Sequence, residues 1–494
     1  MRLKDEIKES GYFWLPSTLQ KKIPGTLSII DGGKIELEIV GSFKGSIEEF
    51  EAAFNDDESR IEKIIGQTES HGLVILKNCF YTKRNFSASL GEISKSSLHV
   101  DIALLSNISD DSCAFVTNEE MLINSFYFSV EGITEWVGIN GFEYNIPSST
   151  SPSIVIKHTR PEEILLNLDN GMKLSVYFTQ SVSFQSITDA CISQRTYFRL
   201  KADQEYPLDI FIPIARKIVE LLCFFIDMTV CIEHVSINTK NDSIDTGNGK
   251  SLPIAIQLFY QSLPFSKEIP KLDRASMLIG FNQIQDIAEQ VFNKWINAYD
   301  VFEPALNLYF SAREDAYTYI DSKFLALAQG LEVYNRRTNS EKIMDKGKFK
   351  ELQSNLVEHC PKEHRVWLRE RISHGNEISF RTRIERIIES FEKYFGTDEE
   401  RKKLASDIVN TRNYLTHYDD SLRKKAITNG KDLFSMYLKM EALFQLHFLQ
   451  TLGLTFDEID QIIIASRQLQ YKLSYAPTKT IQADYQASSK TPSQ

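Results

Sequence analysis

The sequence lacks any apolar run long enough to cross a bilayer, which requires about 20 consecutive apolar residues. The longest such run, residues 218–232, is interrupted by Glu220 and Asp227. The first six residues, MRLKDE, lack the apolar stretch of a signal peptide. We therefore expect a cytoplasmic protein with no segment in a membrane.

Cysteine is also scarce, and its placement argues against a disulfide framework. The six cysteines are widely scattered and form no Cys-x-x-Cys pair, so reduced thiols in a cytosolic protein fit better. His359, Cys360 and His364 could together suggest zinc, but one cysteine without a partner pair is a weak ligand set. We expect no metal and no cofactor.

Positive charge is in the minority overall, yet it is concentrated in one segment. The net charge is −11 at pH 7, but residues 336–432 contain 22 Lys and Arg against 17 Asp and Glu, whereas the remainder contains 34 against 50. The overall acidity argues against general coating of nucleic acid. The basic excess in residues 336–432 fits either solvated helix faces or a surface that guides a nucleic acid.

The length of 494 residues exceeds the usual size of one hydrophobic core, so we expect two or three domains. The first part shows two alternating segments, 25–30 and 34–39, on either side of Asp31-Gly32-Gly33, which predicts a hairpin. Similar segments follow at residues 72–76, 126–130, 153–156 and 174–178. We predict an antiparallel, β-rich domain, a sandwich or a barrel, over residues 1–205.

The rest of the chain changes from mixed to helical periodicity. Strand and helix patterns alternate over residues 206–305, which predicts a mixed α/β middle region. Residues 306–475 carry helical apolar stripes and predict an α-helical bundle. Residues 476–494 are rich in Thr, Ser, Gln and Ala, and we expect them to be disordered. The predicted fold class is α+β.

Two capping boxes, at residues 397–400 and 455–458, mark helix starts in the predicted bundle. The first helix should end near His417, and the second should continue to about Leu473. On the first helix, a buried stripe is predicted at four positions, Leu404, Ile408, Thr411 and Leu415. This stripe places Arg412 at the edge of the core.

The end of that helix brings together a guanidinium, an amide and an imidazole, in Arg412, Asn413 and His417. On an α-helix, Arg412 and His417 are separated by about 7.5 Å of rise and about 140° of rotation, so they do not share one face. Both could grip one phosphate only if the helix end relaxes or a second copy of the helix approaches. The spacing therefore favours a dimer.

The chemistry of these side chains is sufficient for RNA cleavage without a metal. Histidine titrates near neutrality, so His417 can accept a proton from a ribose 2′-OH or return one to the leaving 5′-oxygen. Arginine keeps its charge, so Arg412 can stabilise the negative charge that develops on the phosphate oxygens. The pair predicts a nuclease site.

The spacing alone is a weak signal, because a second pair, Arg369 and His374, has the same separation. His374 precedes Gly375 at a predicted helix stop, where capping or surface exposure is the simpler role. The first pair has a more specific context, since an amide follows Arg412 at the end of a well-marked amphipathic helix. That context resembles the signature of the HEPN ribonucleases.

A wider resemblance covers most of the chain. Residues 11–16, 25–27 and 132–136 resemble the N-terminal domain of the ApeA family of anti-phage defence proteins. Residues 324–332, 380–384 and 412–417 resemble its Apea-like HEPN domain. The resemblance implies a toxin-like, metal-independent endoribonuclease that arrests an infected cell when the N-terminal region senses a phage-encoded trigger.

The resemblance also implies partners and residue roles. HEPN domains of this kind pair two-fold, so we expect a homodimer or a dimer of dimers with a shared RNA cleft, tRNA as substrate, and 2′,3′-cyclic phosphate and 5′-OH products. Arg412 would bind and stabilise the scissile phosphate, His417 would act as acid and base or position the 2′-OH, and Asn413 would orient Arg412 or the phosphate. Apart from the resemblance, two roles are open for Tyr418, Asp419 and Asp420, which either tune the histidine or end the helix.

Two alternatives remain open at this point. Arg412 could be a structural residue at a helix end that bridges Asp407 or Asp420. The HEPN bundle could also be catalytically inactive and serve for dimerisation or RNA binding, with the N-terminal region as the functional sensor. The effect of replacing His417 separates the enzyme from the inactive module.

Overall fold

The computed structural model describes residues 1–43, 60–84, 95–106, 121–145, 154–183, 187–238, 243–245, 251–253, 255–314 and 318–474. The chain divides into two compact units, Met1–Ile296 and Asn297–Gln494. The domain boundaries predicted at residues 205, 305 and 475 stay predictions, and the predicted disordered tail lies outside the described residues. Among the helices in the described ranges, none is long and apolar enough to span a bilayer.

The first unit is dominated by antiparallel strands, as predicted, with alternating buried and exposed residues along many of them. In chain order the described strands are β1 (Ile7–Trp14), β2 (Ile23–Ile30), β3 (Lys34–Val40), β4 (Arg60–Thr68), β5 (Gly72–Arg84), β6 (Lys95–Leu105), β7 (Leu122–Val130), β8 (Phe142–Asn145), β9 (Val155–His158), β10 (Ile164–Asn167), β11 (Lys173–Ser183), β12 (Cys191–Pro207), β13 (Ile232–Asn238), β14 (Ser243–Asp245), β15 (Ser251–Pro253) and β16 (Ile256–Tyr260).

Most of these strands belong to one twelve-stranded sheet, in the order β10-β11-β12-β7-β13-β16-β6-β3-β2-β1-β4-β5. Because β5 also pairs with β6, the run from β6 to β5 closes into a barrel. β13 and β16 come from the predicted middle region, and they pair with β7 and β6. Strands from both predicted regions therefore share one sheet.

The predicted hairpin around residues 31–33 is confirmed by the pairing of β2 with β3. Ile29 lies opposite Ile35, and both side chains are fully buried. Gly33 in the turn has a φ of 78°, and a Cβ there would lie 2.2 Å from the carbonyl oxygen of Tyr260. Glycine is required at this turn because another side chain has neither the backbone conformation nor the space.

The helices begin within the first unit and account for nearly all regular structure in the second. In chain order the described helices are α1 (Ile133–Val137), α2 (Leu208–Ile226), α3 (Phe281–Ile284), α4 (Ala288–Glu314), α5 (Ile320–Thr338), α6 (Lys346–His359), α7 (Arg365–Ile372), α8 (Phe380–Glu389), α9 (Asp398–His417), α10 (Asp420–Arg423), α11 (Gly430–Thr451), α12 (Phe456–Ala465) and α13 (Arg467–Ser474). The α+β class and the helical C-terminal bundle are confirmed.

Trp136 on α1 anchors the helical layer of the first unit. Its ring is fully buried and stacks on Phe225 of α2 at 5.9 Å between ring centroids. Its indole N–H donates a hydrogen bond of 2.9 Å to the carbonyl oxygen of Ile279. A buried tryptophan needs such a partner for its polar atom. α2 itself packs on β7 and β12.

α11 is the central helix of the second unit and packs against α5, α8, α12 and α13. Its interior also holds polar groups, which are satisfied by one another. Lys472 lies 3.3 Å from the Glu441 carboxylate and donates a hydrogen bond to Gln445, whose amide donates to the Tyr309 hydroxyl. Buried polar atoms are tolerated when they are paired in this way. The network joins α4, α11 and α13.

Both predicted capping boxes are present, at the starts of α9 and α12. The prediction of one helix from residue 455 to about Leu473 is wrong in one respect, because Ser466 separates α12 from α13. Ser466 has an extended backbone, with φ −90° and ψ 107°, and its hydroxyl accepts a hydrogen bond of 3.3 Å from the N–H of Leu469. Serine is a favoured residue at helix starts for this reason.

His447 on α11 is a titratable group inside this core. Its ring is buried, and Nε2 donates a hydrogen bond of 2.8 Å to the carbonyl oxygen of Ile387. Burial lowers the pKa of His447 to about 4. The ring is therefore neutral in the folded protein at pH 7.

We expect the free energy of unfolding to fall as the pH decreases from about 6.5 to about 4. In this window the unfolded chain binds a proton on the His447 ring and the folded chain does not, so acid favours unfolding. The expected loss at pH 5 is about 2 kcal/mol. Urea unfolding at pH 7 and pH 5 measures it, and His447→Gln, which does not titrate, should reduce it. The same loss in both proteins would contradict the assignment to His447.

Candidate functional site

The residues singled out from the sequence lie at the C-terminal end of α9. The helix ends because Tyr418 has a left-handed backbone with φ 50°, and its N–H donates to the carbonyl oxygen of Tyr414. Asp419 then caps α10, with its carboxylate accepting a hydrogen bond of 2.8 Å from the N–H of Ser421. Tyr418 and Asp419 therefore have the geometry of residues that end one helix and begin the next.

The buried face of α9 holds this helix end in place. Of the predicted stripe, Ile408, Thr411 and Leu415 are buried, whereas Leu404 is only half-buried. The Thr411 hydroxyl accepts a hydrogen bond of 3.0 Å from the N–H of Ile427, in the segment that follows α10. The stripe faces the core, and Arg412 lies beside it as predicted.

The guanidinium of Arg412 is held by three neighbours. Its Nη2 lies 3.7 Å from a carboxylate oxygen of Glu332 on α5, and its Nη1 donates a hydrogen bond of 3.2 Å to the side-chain oxygen of Asn413. Its carbon Cζ lies 5.1 Å from the ring centroid of Phe380 on α8, a cation–π distance. With 35% of its side chain exposed, Arg412 is oriented and still accessible to a ligand.

Glu332 takes the place of Asp407 and Asp420 in the alternative in which Arg412 is a structural residue. Within the part of the chain that the structure describes, the ion-pair partner of Arg412 is Glu332. The same carboxylate also accepts hydrogen bonds from Arg336, at 3.1 and 3.2 Å. One anion is thus shared by two cations. The sequence motif does not identify Glu332, because it lies on a different helix.

His417 is exposed, and no hydrogen bond or ion pair joins it to Arg412 across the described residues. α9 is continuous over both positions, so the rotation of about 140° between them applies. Asn413 lies four residues before His417 and shares its face of the helix. Asn413 also binds the guanidinium of Arg412, which helps to fix the orientation of that group.

Two hydrogen bonds from Ser421, by its hydroxyl and its N–H, lower the pKa of Asp419, and an electrostatic interaction with His417 adds to the effect. Asp419 is therefore an anion beside the exposed imidazole at neutral pH. Tyr418 is also exposed, and its ring makes an edge contact with Tyr414 at 5.6 Å between centroids. An imidazole, a carboxylate and an accessible aromatic ring thus surround the end of α9.

Comparisons with protein families found a matching family model in each of the two units. A family model described as ApeA N-terminal domain 1 matches residues 8–295, more than half of the chain, and a model described as Apea-like HEPN matches residues 325–458. The chain belongs to the ApeA family. This is a defence-associated family of HEPN nucleases. No curated protein and no solved structure was found to match the chain.

The HEPN match of this ApeA-family chain contains Arg412 and His417 together with Glu332 and Phe380, the two contacts that the motif alone did not identify. Both contact residues lie within segments, 324–332 and 380–384, whose resemblance to the Apea-like HEPN domain is visible in the sequence. That resemblance was the signal that could have found them.

The other sequence candidates of the ApeA-family chain lie between α5 and α8. Arg369 is exposed on α7, and His374 follows the end of that helix. His359 Nδ1 lies 2.8 Å from the carbonyl oxygen of Asn355, a hydrogen bond within α6. In the described ranges no three His, Cys, Asp or Glu side chains are grouped as metal ligands. His359, Cys360 and His364 are therefore not assembled into a site here.

The ApeA N-terminal domain carries two open depressions. One, of about 600 Å³, is lined by residues of β1 to β4 that include Tyr12 and Thr26. The other, of about 260 Å³, lies where β7, β12 and β13 meet the N-terminal end of α1. In the second, the Thr196 hydroxyl is buried without a hydrogen-bond partner among the described residues, and burial raises the pKa of Glu233. Desolvated polar groups of this kind are typical of binding sites.

Proposed function

We propose that this ApeA-family chain is a metal-independent endoribonuclease of anti-phage defence that cleaves RNA, with tRNA as the first candidate substrate. The observation that carries the proposal is the end of α9, where His417 is exposed and Arg412 is oriented by Glu332, Asn413 and Phe380. A fixed cation and an accessible imidazole, brought to one phosphate, are the groups that phosphodiester cleavage requires.

The proposed reaction is an intramolecular transesterification. His417 accepts the proton of the ribose 2′-OH, and the 2′-oxygen attacks the adjacent phosphorus. The bond from phosphorus to the 5′-oxygen breaks, and a protonated imidazole returns a proton to that oxygen. The products are a 2′,3′-cyclic phosphate and a 5′-OH. Arg412 binds the non-bridging oxygens, where negative charge grows in the transition state.

The two proton transfers favour an active homodimer, or a dimer of dimers, formed through the HEPN domain. On one copy of α9 the two side chains diverge by about 140°, so one protomer presents its imidazole and its guanidinium in different directions. Two-fold pairing of α9 ends would place two imidazoles and two guanidinium groups around one phosphate. One histidine would then act as base while the other acts as acid.

The N-terminal domain is the proposed sensor of a phage-encoded trigger, acting in the cytoplasm. The depression of about 260 Å³ supports this role, because Lys4, Arg195 and Glu233 line it beside the buried Thr196 hydroxyl. A ligand that supplies a hydrogen bond to that hydroxyl would remove the cost of an unpaired buried group.

Purified protein incubated with tRNA and an excess of EDTA is expected to cleave as fast as protein without the chelator, because the imidazole and guanidinium need no metal. The fragments should carry 2′,3′-cyclic phosphate and 5′-OH ends, which end-specific labelling and mass spectrometry identify. The trigger can be supplied by extract of phage-infected cells. Cleavage that EDTA abolishes and added Mg²⁺ restores would contradict the mechanism.

The ion pair of Arg412 with Glu332 favours one alternative, an inactive HEPN module that binds RNA or dimerises. In that case Arg412 serves the fold, and the N-terminal domain is the working part. The triggered protein would then bind RNA and leave it intact.

A further inference from the structure

The chain between α5 and α8 forms a helical arm, defined here as residues 345–375. α6 and α7 pack against each other as its two helices, and the guanidinium of Arg365 closes the turn between them by donating to the carbonyl oxygens of Cys360 and Glu358. A clasp closes the base, where Asn376 exchanges two hydrogen bonds of 2.9 Å with Met344. The 14 residues of α6 give the arm a length of about 21 Å.

The arm exposes several large apolar side chains to solvent. Val357 is the single fully buried residue of α6 and α7, both of which lie within the described range 318–474. Trp367 is 58% exposed, and the apolar side chains of Val366, Leu352 and Leu356 are exposed as well. Exposed large apolar residues on two helices that pack against each other indicate a binding surface.

The arm is also basic in an acidic chain. The arm, residues 345–375, contains seven Lys and Arg against five Asp and Glu, together with three of the nine histidines, while the whole chain has a net charge of −11. Arg369 and Arg371 are exposed and form no ion pair with any residue that the structure describes. Arg371 follows Trp367 by four residues, so an aromatic ring and a cation share one face of α7.

A series of ion pairs connects the base of the arm with the candidate site. Arg412 faces Glu332, Glu332 binds Arg336, and Arg336 lies 3.4 Å from Glu377, the residue after the clasp. Glu377 also binds Lys342, just before the arm, at 2.5 Å. Ion pairs therefore link the base of the arm, through Arg336, to Glu332, one of the three residues that hold Arg412.

We propose that the arm binds RNA, with Trp367 stacking on a base and Arg371 contacting a backbone phosphate. The inference rests on the proposed ribonuclease function, because it assigns the arm to the same substrate. A polyanion with accessible bases fits this surface better than a protein does. Its phosphates supply the negative partners that Arg369 and Arg371 do not have in the described structure, and its bases supply flat rings that can stack on the indole. The second Arg and His pair with this spacing, Arg369 and His374, then belongs to a surface that binds RNA and does not cleave it.

The test compares arm variants with matched controls in a His417→Ala background, so that the RNA stays intact. The arm variants are Trp367→Ala and Arg371→Glu. The controls are Phe434→Ala and Arg467→Glu, which alter an exposed aromatic residue and an exposed arginine elsewhere in the same unit. Mixed tRNA is titrated at several salt concentrations, and circular dichroism checks the fold of each variant.

Trp367→Ala is expected to weaken RNA binding about tenfold, the effect of losing one stacked base. Arg371→Glu should also weaken binding and should lower the slope of log affinity against log salt by about one. The two controls should bind as the parent does. Arm variants that retain His417 should need more RNA than the parent to reach half of their maximal cleavage rate, because the arm contributes binding.

Equal RNA affinity for arm variants and controls would overturn the proposal. So would a loss of self-association in Trp367→Ala without a loss of RNA affinity, measured by light scattering, because the surface would then bind a second copy of the chain. If the ribonuclease function is wrong but the arm does bind RNA, the parent that retains His417 will bind RNA and leave it uncut. The arm variants will still lose RNA affinity in that case. A parent that binds no RNA would overturn both.

Discussion

Replacing His417 with alanine is expected to lower the rate of RNA cleavage by about 10²- to 10⁴-fold, the usual effect of losing a general acid or base. The substitution removes the exposed group that is proposed to accept and return the proton. Folding and oligomer size should be unchanged, because the side chain is exposed and lies at the last residue of α9. Single-turnover cleavage of tRNA by the triggered protein measures the rate, and in vivo the variant should lose toxicity.

His374→Ala is the matched control for this experiment. His374 has the same spacing from an arginine, is exposed, and also lies at a helix end. Its replacement should leave the cleavage rate of bound RNA at the parent value. Undiminished cleavage by His417→Ala, together with a loss in His374→Ala, would transfer the chemistry to the Arg369 pair. Undiminished cleavage by both would indicate another site.

Arg412→Ala is expected to lower kcat by about 10²- to 10³-fold, because the cation stabilises charge that develops in the transition state. Arg412→Lys should restore little of this rate. Lysine provides a point charge and cannot present the planar fork that binds two phosphate oxygens while it contacts Asn413 and Glu332. Saturating single-turnover kinetics separate this effect from a loss of RNA affinity.

The size of that effect decides between catalysis and a structural ion pair. Arg412 and Glu332 are 3.7 Å apart with partial exposure, so the pair contributes about 1 kcal/mol or less to stability. A 10²- to 10³-fold loss of rate corresponds to about 2.7–4 kcal/mol of transition-state stabilisation, which the pair cannot supply. Glu332→Gln should therefore reduce kcat much less than Arg412→Ala. Equal losses in the two variants would assign Arg412 to the fold.

Local sequence signals predicted the parts of the structure that local chemistry determines. The hairpin at residues 31–33 follows from its glycines, and the two capping boxes begin α9 and α12 as expected. The stripe of Ile408, Thr411 and Leu415 correctly placed Arg412 at the edge of the core. Each of these features depends on residues a few positions apart, which is the distance over which sequence periodicity operates.

Features that depend on distant residues were not predictable in this way. β12 is the longest described strand, but it does not stand out in the sequence. Buried and less buried residues alternate only over its centre, from Thr196 to Ala202, and polar and charged residues flank this centre. The barrel also depends on the pairing of β1 with β4 and of β3 with β6, and these strands are not consecutive in the sequence. Glu332 meets Arg412 only after α5 packs beside α9. The break at Ser466 depends on one side chain capping the next helix.

The closed part of the sheet restricts how the N-terminal domain can recognise an extended polypeptide. From β6 round to β5, each described strand has a neighbour on both sides, although β1 and β4 pair with each other only over residues 11–14 and 65–68, so an added strand finds little unpaired backbone there. At the other end of the sheet, β10 has one neighbour, and it is only four residues long. Among the described strands, β10 is the one with a whole edge unpaired, so a partner that docks by β-augmentation would pair there, and recognition on the barrel would rely mainly on side chains and loops.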